Sequence, residues 1–483
     1  ENLHEGTLQH KFINGLSNRI MIEVKDVLLI YPYTDPPHSR SIFRFPPLGL
    51  GYIAAYLREK GVEVELLDCT FEGEKQVIQG AKGMDPPVIG IYSMFTMREA
   101  AMRIARSLRK DSNLLVAGGP LPSTEPGSFL DVFDIVAVGE GENTMLEILE
   151  DGFNDPYSID GIVFRSSNEN PLKSYNKVQN RVVSTEAREP IQDLDSVPLP
   201  ARELFENEAY IDYYRKKGLA PTTSIMTSRG CPFSCDFCSR PVFGNDFRER
   251  SASNIADEVE DILSLGYEKV FFQDDCFTLT KKRVMDFCNE VHQRGLKFKW
   301  DCLSRVDSMD NELADMMKAT GCEKIFFGLE SGNDEILKVM KKSANTEQAR
   351  TAVNTANSSG IKTGGFFILG YPGETDDTIL KTIDFALSLP LDYLSFSVPY
   401  PIPGTGLYEK TNNRLSAEKK EPKHRRLIDH ELIYESEFSE GKLRFAILKG
   451  TAQFYMRKRL GLLAPLIEVP FDVTTDFIFK NMS

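Results

Sequence analysis

Two successive series of short apolar runs, each followed by a helical stretch, set the limits on what this chain can fold into. The first series comprises residues 27–32, 62–67, 88–92, 114–117 and 135–138. The first of them, Val27-Leu28-Leu29-Ile30-Tyr31-Pro32, is an apolar run of the kind a buried parallel strand needs. Pro47-Leu48-Gly49-Leu50-Gly51 opens the helix after the first run, and Gly61 closes it. Five strands separated by helices predict a doubly wound, Rossmann-like α/β domain over residues 23–150, with a ligand crevice at the carboxyl ends of its strands.

The second series covers 224–227, 269–273, 297–302, 324–328, 364–369 and 393–397, recurring at roughly the 30-residue interval of a βα unit. It predicts a partial (β/α)6 barrel over residues 216–410, again with the active site at the carboxyl ends. Residues 151–215 read as a connector in which 161–165 and 181–183 can pair as a hairpin. Residues 411–483 read as a small, mostly helical C-terminal domain, with helical periodicity from 440 to about 462. This C-terminal segment, with Phe454-Tyr455-Met456-Arg457, is expected to cover the barrel mouth and shape substrate entry.

Glycine stands where strands of the first series end, in Gly118-Gly119-Pro120 and Gly139-Glu140-Gly141-Glu142. Glycine permits positive φ and lets a large ligand approach the backbone, although a tight turn uses it equally well. Neither segment is a G-x-G-x-x-G fingerprint, which argues against a dinucleotide.

The chain has 57 Lys+Arg against 71 Asp+Glu, a formal net charge of −14. Nucleic acids and anionic membranes attract clustered positive charge, so neither is expected as a partner. No stretch approaches the ~18 uncharged apolar residues of a membrane span. Residues 1–19 lack the apolar core of a secretory signal. Met21 could be a natural start with the residues before it a remnant, and residues 1–22 are set apart from the fold as an N-terminal extension. The basic run at 419–426 is interrupted by Glu421 and preceded by Glu418, the pattern of a solvated linker.

Eight cysteines in 483 residues imply no disulfide framework. Three of them, Cys231, Cys235 and Cys238, form C-x3-C-x2-C just after the first run of the second series. A structural zinc site normally takes four closed ligands with a second pair further on. No second CxxC follows, and His4, His10, His38, His292, His424 and His430 offer no pair. Three thiolates without a fourth partner suit a [4Fe–4S] cluster whose fourth iron stays open to a ligand. Cys69, Cys276, Cys288, Cys302 and Cys322 show no paired spacing and read as small buried hydrophobes. For Cys276 and Cys302, near expected active-site strand ends, an auxiliary metal site is the alternative.

With Phe237 ahead of the last cysteine, this motif resembles that of the radical S-adenosylmethionine superfamily. Further motifs resemble the branch that carries an N-terminal cobalamin-binding domain. They are Gly118-Gly119-Pro120, Gly139-Glu140-Gly141-Glu142, Phe271-Phe272-Gln273-Asp274-Asp275-Cys276-Phe277, Gly328-Leu329-Glu330-Ser331-Gly332 and Gly370-Tyr371-Pro372-Gly373-Glu374.

The resemblance implies that Cys231, Cys235 and Cys238 are the catalytic metal ligands of a [4Fe–4S] cluster that binds the methionyl end of S-adenosylmethionine. Gln273, Asp274 and Asp275 would receive its amino group, and Ser304 and Arg305 its carboxylate. Glu330 and Ser331 would take the amino group or ribose, with the backbone at Leu369 and Gly370 and strand six at Ser397 holding the adenine. Family members commonly have Gly-Gly-Glu where this chain has Gln273-Asp274-Asp275.

Many B12-binding domains put a histidine on cobalt through Asp-x-His-x-x-Gly; His38 lacks the required glycine three positions on. That fits a cobalamin with no histidine below cobalt, or a domain that has lost B12. The implied floor is Tyr33, Pro47, Leu48, Gly49, Ser93, Met94, Phe95, Thr96, Gly118, Gly119, Gly139, Glu140 and Gly141, with Met94 or Phe95 under the corrin.

The implied activity is C-methylation of an unactivated carbon, with S-adenosylmethionine as methyl source and cobalamin as carrier. Peptide and small-molecule substrates both fit, a peptidyl glutamine among them. A ferredoxin or flavodoxin would supply electrons, in an anaerobic cytoplasm. The alternatives are a cyclase or ring-rearranging oxidase of the same branch, an enzyme with a vestigial B12 domain, and a non-enzymatic sensor.

Overall fold

The structure is a computed structural model, and it describes residues 26–33, 44–152, 154–166, 181–238, 242–414, 432–461 and 464–482. His38, Met21 and the basic run at 419–426 lie outside the described residues.

The first sheet has seven strands: β1 (Val27–Tyr31), β2 (Val64–Asp68), β3 (Val88–Tyr92), β4 (Leu114–Gly118), β5 (Ile135–Ala137), β6 (Ile162–Ser166) and β7 (Arg181–Ser184). Their order is β2-β1-β3-β4-β5-β6-β7, parallel through β5. The predicted hairpin exists, and β6 pairs antiparallel with β5, Val136 opposite Val163, so it widens this sheet and does not stand apart as a connector. Leu28, Ile30, Ile89 and Ile91 bury against Val77, Ala101, Ile104 and Ala105 of the helices on one face. Val27, Leu29 and Val116 bury against Leu50, Ala54, Leu57 and Ile148 on the other. Because both faces are covered, β1, β3 and β4 read as nearly unbroken apolar runs, whereas β2 at the sheet edge alternates in burial.

The second sheet follows through β8 (Thr222–Ile225), a short antiparallel pair β9 (Ser228–Arg229) and β10 (Arg248–Glu249), then β11 (Lys269–Phe272), β12 (Lys299–Ser304), β13 (Cys322–Glu330), β14 (Lys362–Ile368) and β15 (Tyr393–Ser397). β8 and β11 to β15 lie side by side in chain order, all parallel, with β8 and β15 as the edges of a partial barrel. Val270, Phe272, Trp300, Ile325, Phe327 and Phe396 point outward into one large core with the surrounding helices. The alternate residues Phe271, Phe326 and Phe366 face inward and touch one another, ring centroids 5.6–6.1 Å apart. Helix starts are written locally: Ser251 caps Ala252–Ser264, and Asn345 and Thr375 form capping boxes at Thr346–Ser358 and Asp376–Ser388.

The C-terminal part is a pair of helices, Glu440–Leu460 and Ala464–Asn481. Pro470 reads as a breaker and hides the second helix from periodicity. That helix is held by ion pairs from Lys449 to Asp472 and Asp476 and by buried Phe479. The first helix lies along the barrel flank, Gly450 against Phe396 of β15, with Leu443 reaching Gly370 above β14. Arg457 donates to the carbonyl of Leu387, at the far end of Asp376–Ser388. That helix runs from the carboxyl end of β14 to the amino end of β15, so residues 454–457 sit away from the mouth, whereas Tyr434 and Leu443 of the same C-terminal segment reach Gly370 beside it. No helix among the described residues is long and apolar enough to cross a membrane.

Candidate active site

The cysteine loop is clamped before it begins. β9 pairs with β10, Arg229 opposite Arg248, and closes the base of residues 230–247. Gly230 has φ +83°, and a Cβ there would stand 2.2 Å from the carbonyl oxygen of Asp246, so the turn into Cys231 admits only glycine. Cys231, Cys235 and Cys238 are half-buried and free of disulfides.

Inside the motif, Asp236 ties the loop to three other parts of the barrel. Its amide donates to Met340 O (2.9 Å), and its carbonyl accepts from Leu407 N (2.8 Å). Its carboxylate accepts from the Tyr371 hydroxyl at 3.1 Å and pairs with Lys410 and Lys341. Burial works to raise the Asp236 carboxyl, but the Lys410 ammonium and the Tyr371 hydroxyl hold it below its usual range. Phe237 packs beside Tyr371, Met340 and Leu407.

Several expected ligand residues surround the thiols. Arg305, after β12, lays its guanidinium 3.5 Å over the Phe233 ring and points Nη1 at Cys235 Sγ (3.8 Å). Glu330 sits at φ +62° at the end of β13, its carboxylate 2.8 Å from Lys342 Nζ, and both side chains are buried. Such backbone strain in a non-glycine residue persists only where its surroundings enforce it. Asp275 reaches solvent, yet the protein around it and then Asp274 push its carboxyl up, as befits a carboxylate in a concave mouth. Gln273 is half-buried beside it. At the end of β14, Gly370 N and Tyr371 N donate to Glu374 (2.6 and 2.9 Å), and Leu369 N donates to Ser397 O (2.8 Å).

Other expected residues have different work. Asp274 accepts from Thr227 N (2.6 Å), Ser228 N (3.1 Å) and Arg283 (3.0 Å), so its carboxylate supports the entry to the loop instead of facing a ligand. Ser304 Oγ donates to the carbonyl of Arg305 (2.7 Å) and meets Thr278 Oγ1 (2.6 Å), and Ser331 Oγ meets Thr382 Oγ1 (3.1 Å). Both hydroxyls are buried and engaged, which removes them from the ligand side.

On the first sheet, the carboxyl ends of β1, β3, β4 and β5 gather Tyr33, the 93–96 segment, Gly118-Gly119 and Gly139. Order reverses between β1 and β3, where doubly wound sheets open their crevice. Gly49, Gly118 and Gly139 have no atom within 4 Å of where a Cβ would project, so together they leave a cradle suited to a broad ligand. Met94 and Thr96 are exposed, whereas Ser93 is fully buried and donates its amide to Gly118 O (2.7 Å). Phe95, packed at the edge of the first sheet's core, also meets Tyr400 beyond β15, ring centroids 4.5 Å apart. Phe45 stacks on the inward Phe271 at 5.5 Å. The strand-end loops of the two sheets therefore face each other.

Two residues expected in the cobalamin floor, Glu140 and Leu48, lie instead in the seam between the sheets. Glu140 pairs with Arg229 (3.0 Å) and Arg248 (2.6 Å) of the cysteine-loop base, and neighbouring Glu142 also pairs with Arg229. Leu48 packs on Tyr52, Val197 and Met226, and Gly141 abuts Ile53. Pro47 is buried at the start of Leu48–Glu59. The reading of the sequence missed Asp236, although a lone carboxylate inside a cysteine motif was a visible cue. It also missed Lys342, which no local pattern marks.

One loop carries three half-buried thiols, one of them beside a guanidinium, and thiolates are the ligand type of an iron–sulfur cluster. Comparison with known proteins agrees. Residues 225–386 match the Radical SAM superfamily, and residues 41–149 match the B12 binding domain. The chain is 33% identical over 401 residues to an uncharacterized methyltransferase of Pyrococcus horikoshii, covering 80% of this chain and 83% of that protein. It is 26% identical to an anaerobic magnesium-protoporphyrin IX monomethyl ester cyclase of Rubrivivax gelatinosus, covering 80% and 70%. In fold it is similar to the cobalamin-dependent S-adenosylmethionine radical enzyme OxsB with aqua-cobalamin and S-adenosylmethionine bound, at TM-score 0.71 and 19% identity, covering 95% and 72%. The chain belongs to the radical S-adenosylmethionine superfamily, in the branch whose members carry a B12 binding domain ahead of the barrel.

Proposed function

We propose that this chain is a C-methyltransferase that moves a methyl group from S-adenosylmethionine, by way of cobalamin, to an unactivated carbon. The observation that carries this reading is the facing of two strand-end surfaces, the glycine-opened floor and the cysteine loop, at Phe95 and Tyr400. When bound, the cluster, S-adenosylmethionine and cobalamin supply one-electron reduction, hydrogen-atom abstraction and methyl carriage.

Cys231, Cys235 and Cys238 would hold the cluster, and Asp236 keeps their loop still. Glu330 and Lys342, oppositely charged and 2.8 Å apart, suit the ammonium and carboxylate of an amino acid. Gln273 and Asp275 border the same space, and the strand ends at Leu369, Gly370 and Ser397 would lie against a base. Tyr33, Met94, Thr96, Gly118 and Gly139 would line the cobalamin. Phe45 on Phe271 and Phe95 on Tyr400 exclude water between the two surfaces, which protects a reactive intermediate from side reactions. A peptidyl glutamine is the first substrate to try, beside small-molecule acceptors. A ferredoxin or flavodoxin in a low-oxygen cytoplasm is the electron source we assign.

The test is anaerobic turnover of cluster-reconstituted protein with hydroxocobalamin, a low-potential reductant and candidate peptides, read by mass spectrometry. Equal yields of 5′-deoxyadenosine and S-adenosylhomocysteine, with a substrate heavier by one methylene, are expected. Likeness to the cyclase favours a second reading, ring formation without methyl transfer. It predicts 5′-deoxyadenosine without S-adenosylhomocysteine.

A further inference from the structure

We infer that Arg305 sets the reduction potential of the cluster through Cys235, as a positioning residue and not as a carboxylate receptor. The inference rests on the reading of the three cysteines as cluster ligands.

A guanidinium has five N–H donors, and a carboxylate is gripped best by two parallel ones on one edge. In Arg305, Nε donates to Asp307 (3.1 Å), and Nη2 donates to Asp307 (2.9 Å) and to the carbonyl of Lys342 (2.9 Å). Nη1 points at Cys235 Sγ at 3.8 Å. No edge keeps two free donors, so bidentate capture of a ligand carboxylate is closed off. The ring of Phe233, two residues from Cys235, supports the guanidinium face at 3.5 Å. The side chain is buried, so its charge is poorly screened by water.

The arrangement is directional. Asp307 neutralises Arg305 from the Nε–Nη2 edge, while the Nη1 corner turns its N–H toward sulfur. Hydrogen bonds to cluster sulfurs are among the factors that set reduction potential, because they stabilise the more negative, reduced form. A low-potential donor then reduces the cluster more readily than it would an unassisted one. Lys342 adds little to this field, since its ammonium is matched by Glu330 at 2.8 Å.

The test is a potentiometric titration of the reconstituted protein without S-adenosylmethionine, followed by electron paramagnetic resonance of the reduced cluster. Arg305→Gln is expected to keep wild-type iron content and shift the midpoint to a more negative potential, with Arg305→Lys between the two. Binding of S-adenosylmethionine by equilibrium dialysis should change less than twofold. An unmoved midpoint at full iron content overturns the inference, and loss of binding at that unmoved midpoint returns Arg305 to the carboxylate. Should Arg305→Gln fail to hold iron, Asp307→Asn decides. Removing the compensating carboxylate should shift the midpoint upward, and no shift overturns the inference. Wild-type protein that binds no four-iron cluster would instead sink the underlying cluster reading.

Discussion

Glu140 and Arg229 meet at 3.0 Å across the seam between the two sheets, both side chains less than a tenth exposed. Arg229 stands two residues before Cys231, and Arg248, the second partner of Glu140, closes the same loop from β10. The acidic turn after β5 therefore steadies the cysteine loop of the other domain. Breaking a buried pair by removing one partner leaves an uncompensated charge, at a cost of about 3–5 kcal/mol. Glu140→Ala should lower unfolding free energy by that order in denaturant titration. Glu140→Gln, which keeps the shape and an acceptor, should cost less, yet still lower the iron retained after reconstitution. Iron content and stability both unchanged in Glu140→Ala would refute this role.

Asp236 links the same loop to the barrel from the other side. Its folded carboxyl lies below the usual range, so the stability it adds is present above the unfolded value of 3.8 and is lost as pH falls through the folded one. Asp236→Asn should flatten that acid limb of the stability profile. At neutral pH the loss of charge-assisted bonds should cost about 1.5–3 kcal/mol. Limited proteolysis should then cut within residues 230–247 faster than in wild type, with the rest of the barrel unchanged.

Glu374 works in the opposite pH direction. Burial pushes its carboxyl up to about 7, against the two amide bonds that favour the charge. Between about pH 4.5 and 7 the folded state keeps a proton that the unfolded chain has released, so stability falls as pH rises through that window. The loss amounts to about 3.5 kcal/mol at most, taking 1.4 kcal/mol per unit. Glu374→Gln still accepts from Gly370 N and Tyr371 N but cannot ionise. Thermal melts of the variant should lose the slope that wild type shows between these pH values.

The strands were legible because each carries its own local signal: residues 88–92, an apolar run buried on both faces, coincide with β3, and residues 393–397, alternating in burial, coincide with β15. The three cysteines were legible because one loop carries them all. The seam was not. Arg229 and Glu142 are 87 residues apart, and only the docking of two sheets brings them together. Gly-Glu-Gly-Glu thus read as part of a ligand floor, although its two carboxylates turn away from that floor into the seam. Ser304 and Ser331 failed for a related reason. Their places at strand ends were right, but strand position does not say which way a short side chain turns or whether a neighbour such as Thr278 or Thr382 engages it.

Gly118 and Gly119 are neighbours with different constraints, and that difference tests the floor directly. Gly119 has φ +112°, and a Cβ there would lie 2.6 Å from the carbonyl oxygen of Ser93. Gly119→Ala should therefore destabilise the fold by about 1–3 kcal/mol. Gly118 needs no left-handed backbone, and its Cβ would project into open space. Gly118→Ala should leave stability within about 0.5 kcal/mol of wild type. A larger side chain at the same place fills the cradle, so Gly118→Leu should weaken cobalamin binding about tenfold or more, a loss of at least ~1.4 kcal/mol. Corrinoid absorbance retained after gel filtration reads binding, and a melt in the absence of cobalamin reads stability. A Gly118→Leu protein that folds and retains cobalamin like wild type would mean that the ligand lies elsewhere on the sheet.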